Sequence, residues 1–172
     1  MSCSNLTSGL ACACDCGMGG IQAIYIAEQD NIVSYTTSTG TITGLTMTTA
    51  TKFYEYCLDQ NRNVATFVET LTNDMANGSS YFLQLLDFRL TKREVSKRNN
   101  LALLNCKKLA VIITDNNGES YVMGIDKGAR LMSIASPTGA AKGDHNGYNV
   151  QIQGEEAVAA YSITAAVIAA HI

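Results

Sequence analysis

Along most of the chain polar and apolar residues alternate with the two-residue period of a β-strand. Residues 21–27, rich in β-branched side chains, follow the flexible Gly17-Met18-Gly19-Gly20 and predict a first strand. Residues 31–35 and 41–45 predict two short strands, the second inside a Thr-, Ser- and Gly-rich stretch over 36–51. Over 52–59, Tyr54, Tyr56 and Leu58 alternate with Glu55, Cys57 and Asp59. After a polar turn at 60–63 the alternation resumes over 64–72, with Thr66, Thr70 and Thr72 on one side and Ala65, Phe67 and Leu71 on the other. The simplest arrangement is a long hairpin over 52–72. Residues 75–80 read as a turn, and 81–90, apolar on both faces, predict a central strand covered on both sides.

The period then changes. Thr91-Lys92-Arg93-Glu94 has the form of a capping box, which predicts one helix over 91–106 with Lys92, Arg93, Lys97 and Arg98 on a basic outer face. Residues 109–114 and 120–125 flank Asp115-Asn116-Asn117-Gly118, whose Asn-Gly pair suits the positive φ angles of a tight hairpin turn. Residues 129–136 predict a strand ended by Pro137, 139–147 a Gly-rich loop, and 148–153 an alternating strand with one wet or partner-facing side. The Ala-rich tail, 157–172, is strand or helix, and its apolar character requires it to pack on its own domain or on a neighbour.

Length and composition narrow this to one domain over 1–172, with mainly β (α+β) structure. A chain of 172 residues buries a core without metal or disulfide staples. Charged residues make up 16%, below the roughly 25% of an average soluble domain, which leaves neutral surface for contact with neighbours. A net charge of -3 and the lack of a basic run disfavour a protein that grips nucleic acid. No apolar run approaches the ~20 residues of a membrane helix, and the N-terminus lacks the pattern of an export signal, so no membrane partner is expected.

Catalytic chemistry finds few residues to work with. His145 and His171 are the only histidines, and no nucleophile motif accompanies the Asp144-His145 pair. Gly139, Gly143, Gly147 and Lys142 do not follow the Walker order. Glu155-Glu156 reads as a solvated corner. Cys3, Cys12, Cys14 and Cys16 crowd one segment without the paired C-x2-C knuckles of a zinc site, and a reducing compartment makes free thiols the default. Cys57 and Cys106 read as small core or half-buried residues. The expectation is therefore no enzyme, no cofactor and no metal.

The order of elements resembles the phage tail tube (major tail) proteins, particularly those of phages infecting Bacteroidetes. Three places carry it: the Cys-containing start leading through Gly19-Gly20-Ile21 into Ile24-Tyr25-Ile26; the strand 81–90, capped helix, residues 109–118 and Tyr121-Val122-Met123-Gly124; and the closing 138–144 and 147–155. The resemblance implies an antiparallel β-sandwich or barrel with one flanking helix and a long protruding hairpin, assigned to 52–72, with arms over 1–20 and 157–172. It implies a structural subunit of stacked hexameric rings in the virion tail, assembled in the host cytoplasm, whose channel conducts DNA and ejected proteins without binding them. Glu55, Asp59, Thr66 and Thr70 are then channel-lining, and Arg93 and Lys97 contact a sheath or a neighbour. Further implied partners are a baseplate or hub and a tail terminator. The alternatives are a head decoration protein, a tail terminator or a secretion-system inner tube protein.

Overall fold

The computed structural model describes residues 17–58 and 65–172; the Cys3, Cys12, Cys14 and Cys16 cluster and Asp59 lie outside them. The architecture is mainly β. In chain order the described elements are β1 (Ile21–Glu28), β2 (Ile32–Ser38), β3 (Thr41–Met47), β4 (Tyr54–Tyr56), β5 (Ala65–Asp74), β6 (Ser79–Thr91), α1 (Val95–Leu103), β7 (Leu109–Asp115), β8 (Ser120–Met123), β9 (Arg130–Ala135), β10 (Gly147–Glu156), β11 (Tyr161–Ile163) and α2 (Ala165–His171). They form a seven-stranded sheet in the order β2-β3-β11-β8-β7-β1-β4 and a four-stranded sheet in the order β5-β6-β10-β9.

Burial follows the pleat. Ile24 and Ile26 of β1 and Leu109, Val111 and Ile113 of β7 share one apolar cluster with Leu86, Phe88 and Leu90 of β6 and Tyr148, Val150 and Ile152 of β10. Leu101 of α1 and the following Leu104 belong to the same cluster. The alternate residues Ala27, Ala110 and Ile112 join a second cluster with Ile42, Val122, Ile163, Phe53 and the α2 residues Val167 and Ile168. The strand buried on both faces is therefore β7, whose run from Leu109 to Ile113 is at most 1% exposed. Double cover was expected over 81–90 instead. There only alternate positions are fully buried, because the opposite face of the four-stranded sheet remains accessible.

The expected hairpin over 52–72 does not form. β4 joins the edge of the seven-stranded sheet through Tyr25↔Glu55, whereas β5 pairs with β6 from Ala65↔Phe88 to Asp74↔Ser79. The physical reason is the apolar face of the first half. Tyr56 packs edge-on against Phe88 at 6.2 Å and Leu58 enters the shared cluster, which draws this segment onto β1. The long hairpin of the molecule is β5–β6.

The capping box is not used either. Thr91 is the last residue of β6, paired with Gly147, and α1 begins at Val95. Glu94 stands at the N-cap without a side-chain cap bond, its carboxylate 2.6 Å from the Lys92 ammonium. The described residues contain two α-helices: besides α1, the tail, which the sequence leaves as strand or helix, forms β11 and then α2. Both Glu155 and Glu156 lie in β10 rather than in a solvated corner, and Glu156 is buried. Cys57 and Cys106 are exposed, not core residues.

Candidate functional site

The four-stranded sheet has one face in the core, and the pleat sends the alternate side chains to the other. That open face carries Thr66, Val68 and Thr70 from β5, Leu83, Leu85, Asp87 and Arg89 from β6, Asn149, Gln151 and Gln153 from β10, and Ser133 from β9. Thr66, Thr70, Arg89 and Ser133 are exposed, and Val68 is 52% exposed. A groove of about 410 Å³ crosses the face between Thr66, Asp87, Arg89, Ser133, Asn149 and Gln151. Hydroxyl and amide groups dominate it. Its formal charges cancel, Asp87 and Glu155 standing against Arg89 and Arg130.

Both edges of this sheet are unpaired among the described residues. β5 presents a ten-residue edge and β9 a six-residue edge. Every pairing within the sheet is antiparallel, so β5 and β10 run one way and β6 and β9 the other. Such edges are templates for another strand; β9 is regular over Ser133–Ala135 and bulges at Met132, which is 57% exposed, so its flat part is short.

Two polar clasps hold this sheet against the rest. Buried Gln84 donates from Nε2 to Glu69 Oε1 at 2.9 Å and accepts from the Gly124 amide at 3.2 Å; Glu69 Oε1 also accepts from the Ala160 amide at 2.7 Å. At the end of β10, Glu156 is 3% exposed and its Oε1 accepts from the amides of Asp126 and Lys127 at 3.2 and 3.0 Å. Its Oε2 is buried with no hydrogen-bond partner. Burial raises the Glu156 carboxyl above its ordinary value, and the neighbouring Asp126 charge adds to that. Asp126 also accepts from the Tyr35 hydroxyl, whose ionisation is pushed well up, first by burial and then by this bond.

A carboxyl with a raised folded-state value contributes its stability fully below the unfolded value and loses it as pH rises through the folded value. Glu156→Gln keeps an acceptor for the two amides and removes the titration. Its melting temperature relative to the natural chain should therefore climb as pH is raised from the ordinary glutamate range towards neutrality. Parallel pH profiles of the two proteins in thermal denaturation would show that Glu156 is not the group responsible.

The residues expected in the channel do not all share a face. Thr66 and Thr70 lie together on the open face; Glu55 lies on β4, in the other sheet, opposite Tyr25, whose hydroxyl is raised first by burial and then by the Glu55 charge. Glu55 therefore does not stand beside the threonines, whose neighbours on the open face are hydroxyl, amide and apolar groups with Asp87 and Arg89. Arg93 and Lys97 do not form one basic face. Arg93 precedes α1 and is exposed, whereas Lys97 turns back to donate to the Thr91 carbonyl at 2.6 Å. Asn149, Gln151 and Ser133 escaped sequence reasoning because only the sheet order brings β9 and β10 beside β5 and β6.

In the loop after β9, Asp144 accepts from the amides of Ala140 and Ala141 at 2.8 Å each, and these bonds hold its carboxyl below the usual range. It braces the loop rather than orienting His145. Among the described residues no three His, Cys, Asp or Glu side chains group as metal ligands. No helix among them is long and apolar enough to cross a membrane. Comparison of the chain with protein-family models, with curated proteins and with solved structures gives no match.

Proposed function

We propose that the protein is a structural subunit that closes into rings by continuing its four-stranded sheet from copy to copy, and that these rings are those of a phage tail tube. The observation that carries this reading is an open sheet with two edges unpaired among the described residues and an outer face without net charge. An even number of alternating strands makes the join self-consistent. β9 of one copy and β5 of the next run in opposite directions when copies are related by rotation about an axis along the strands, so the contact extends an antiparallel ladder. Such a heterologous contact gives a ring if the rotation closes. The resemblance of the sequence to tail tube proteins supplies the hexameric number and the sandwich-type architecture. In this reading the open face lines the channel, and the seven-stranded sheet with α2 lies outside. A wall whose charges cancel and whose remaining groups are hydroxyls, amides and the apolar Val68, Leu83 and Leu85 offers a polyanion no net attraction, so in this reading DNA passes without being held.

Negative-stain microscopy of the purified full chain should show rings or tubes. Proline on the β5 edge locates the contact. Thr70→Pro and Leu71→Pro each remove one backbone donor, and the strand's alternation turns one of them to β6 and the other outwards. The variant that keeps close to the natural melting temperature should no longer assemble. Assembly unimpaired in that variant would overturn pairing through β5, and a monodisperse monomer at high concentration would overturn the subunit reading itself.

A further inference from the structure

The β5–β6 hairpin runs past its sheet. β10 covers β6 only as far as Glu156↔Phe82, while β5 and β6 continue together through Thr72↔Tyr81, Asn73↔Ser80 and Asp74↔Ser79 to the turn. A two-stranded extension is marginal by itself. The turn is nevertheless built: Asp74 accepts from the amides of Ala76 and Asn77 at 3.0 and 3.2 Å and from the Asn77 side chain at 2.6 Å. It presents Met75, 95% exposed. No lysine or arginine occurs between Ala65 and Phe88, and the one charge of the projecting end is Asp74, so this end is apolar at its tip and mildly anionic.

The opposite end of β6 opens on a cleft of about 900 Å³ between α1 and β4. Leu58, Leu90, Leu101 and Leu103 give it an apolar floor, Leu103 being 64% exposed. Three lysines, Lys52, Lys97 and Lys107, stand there against two glutamates, Glu28 and Glu55, and Lys107 is paired with Glu28. The cleft is thus apolar and mildly cationic where the hairpin tip is apolar and mildly anionic.

We propose that the hairpin tip of one copy, with Met75 leading, docks in the α1–β4 cleft of a second copy. The contact rests on the self-assembly reading and names its second direction. Tip and cleft sit at the two ends of the thirteen-residue β6, so the contact is head-to-tail along the strands. At about 3.3 Å per residue it repeats every ~40 Å. A heterologous contact of this kind, running along the strands, does not close and propagates a stack. The edge-to-edge join runs across the strands, so the two contacts do not compete for the same surface. Methionine suits the role, because its unbranched thioether fills irregular apolar space.

Cys57 supplies the test, since it lines the cleft and is exposed. In the full chain, Met75→Cys is oxidised with diamide and run on a non-reducing gel beside the natural chain and Met75→Cys/Cys57→Ser, with microscopy of each sample. The expected result is a ladder of disulfide-linked copies in Met75→Cys that is absent from the natural chain and lost when Cys57 is serine. A ladder that persists without Cys57 overturns the docking site. Rings without a Cys57-dependent ladder overturn it as well, and leave the ring reading standing. Neither rings nor ladder overturns both.

Discussion

Gly124→Ala should destabilise the protein by about 3–5 kcal/mol, counting backbone strain together with buried hydrogen bonds lost. Gly124 follows β8 at φ +70°, and a Cβ there would lie 2.4 Å from the Ala129 amide nitrogen and 2.6 Å from the Leu109 carbonyl oxygen. Those two atoms form one half of a reciprocal bond pair, 2.8 Å in each direction, that fastens the start of β7 to the residue before β9. Alanine forces them apart in a fully buried site. At the 2–4 °C per kcal/mol typical of this chain length, the melting temperature should fall by roughly 10 °C. Gly40→Ala separates strain from clash. Its φ is +78° with nothing within 4 Å of the added carbon, so it should cost only about 1 kcal/mol. Equal losses in the two variants, measured by chemical denaturation, would refute the role given to the Leu109–Ala129 bridge.

Phe88→Ala should cost about 3–5 kcal/mol, the range of buried phenylalanine truncations. Phe88 is 2% exposed, pairs across strands with Ala65 and Val150, and meets the Tyr56 ring edge-on. It therefore touches both sheets through one cluster. Calorimetry of the variant should give a single transition at lower temperature, since loss of a shared core weakens both sheets together. Two resolved transitions, with only one displaced, would show the sheets to be energetically separate. The loss is a large part of the 5–15 kcal/mol that stabilises a typical domain, so the variant should be compared well below its own midpoint.

Local chemistry carried the hairpin β7–β8 into view. Asp115 accepts from the amides of Asn117 and Glu119 at 2.8 and 2.9 Å, and of the Asn-Gly pair Gly118 alone takes a positive φ, +88°. The same turn has a second task that no local pattern announces. Asn117 exchanges hydrogen bonds with the backbone of Met18, and Asn116 donates to the Gly19 carbonyl at 2.7 Å, so the turn holds the entry to β1. The Thr91-x-x-Glu94 signature misled for a related reason. Its local chemistry is sound, but pairing with Gly147 claimed Thr91 for the sheet. A period of two reveals that 54–56 and 65–74 are strands without naming their partners, so that nearness in sequence alone suggests one hairpin. At the candidate site the alternation in β5 was enough to place Thr66 and Thr70 on one face. The rest of that face is made by strands distant in sequence, and its neutrality depends on Arg89 and Arg130 arriving from β6 and β9.

The sheet order also sets a timetable for synthesis. β1 waits for β7, through Ile24↔Ile113, and β3 gains its parallel neighbour only when β11 has been made, through Ile42↔Ile163. Non-local pairings of this kind are slow, because the chain must close long loops before contacts compensate. In the four-stranded sheet the β5–β6 hairpin forms locally, but β9 is translated before the strand that holds it. It stays without a scaffold until residues 147–156 emerge and β10 settles between β6 and β9. In the proposed ring a nascent chain thus offers one joining edge early and its complement late, and growth by edge addition would be withheld on the ribosome, where crowded, half-made chains template one another.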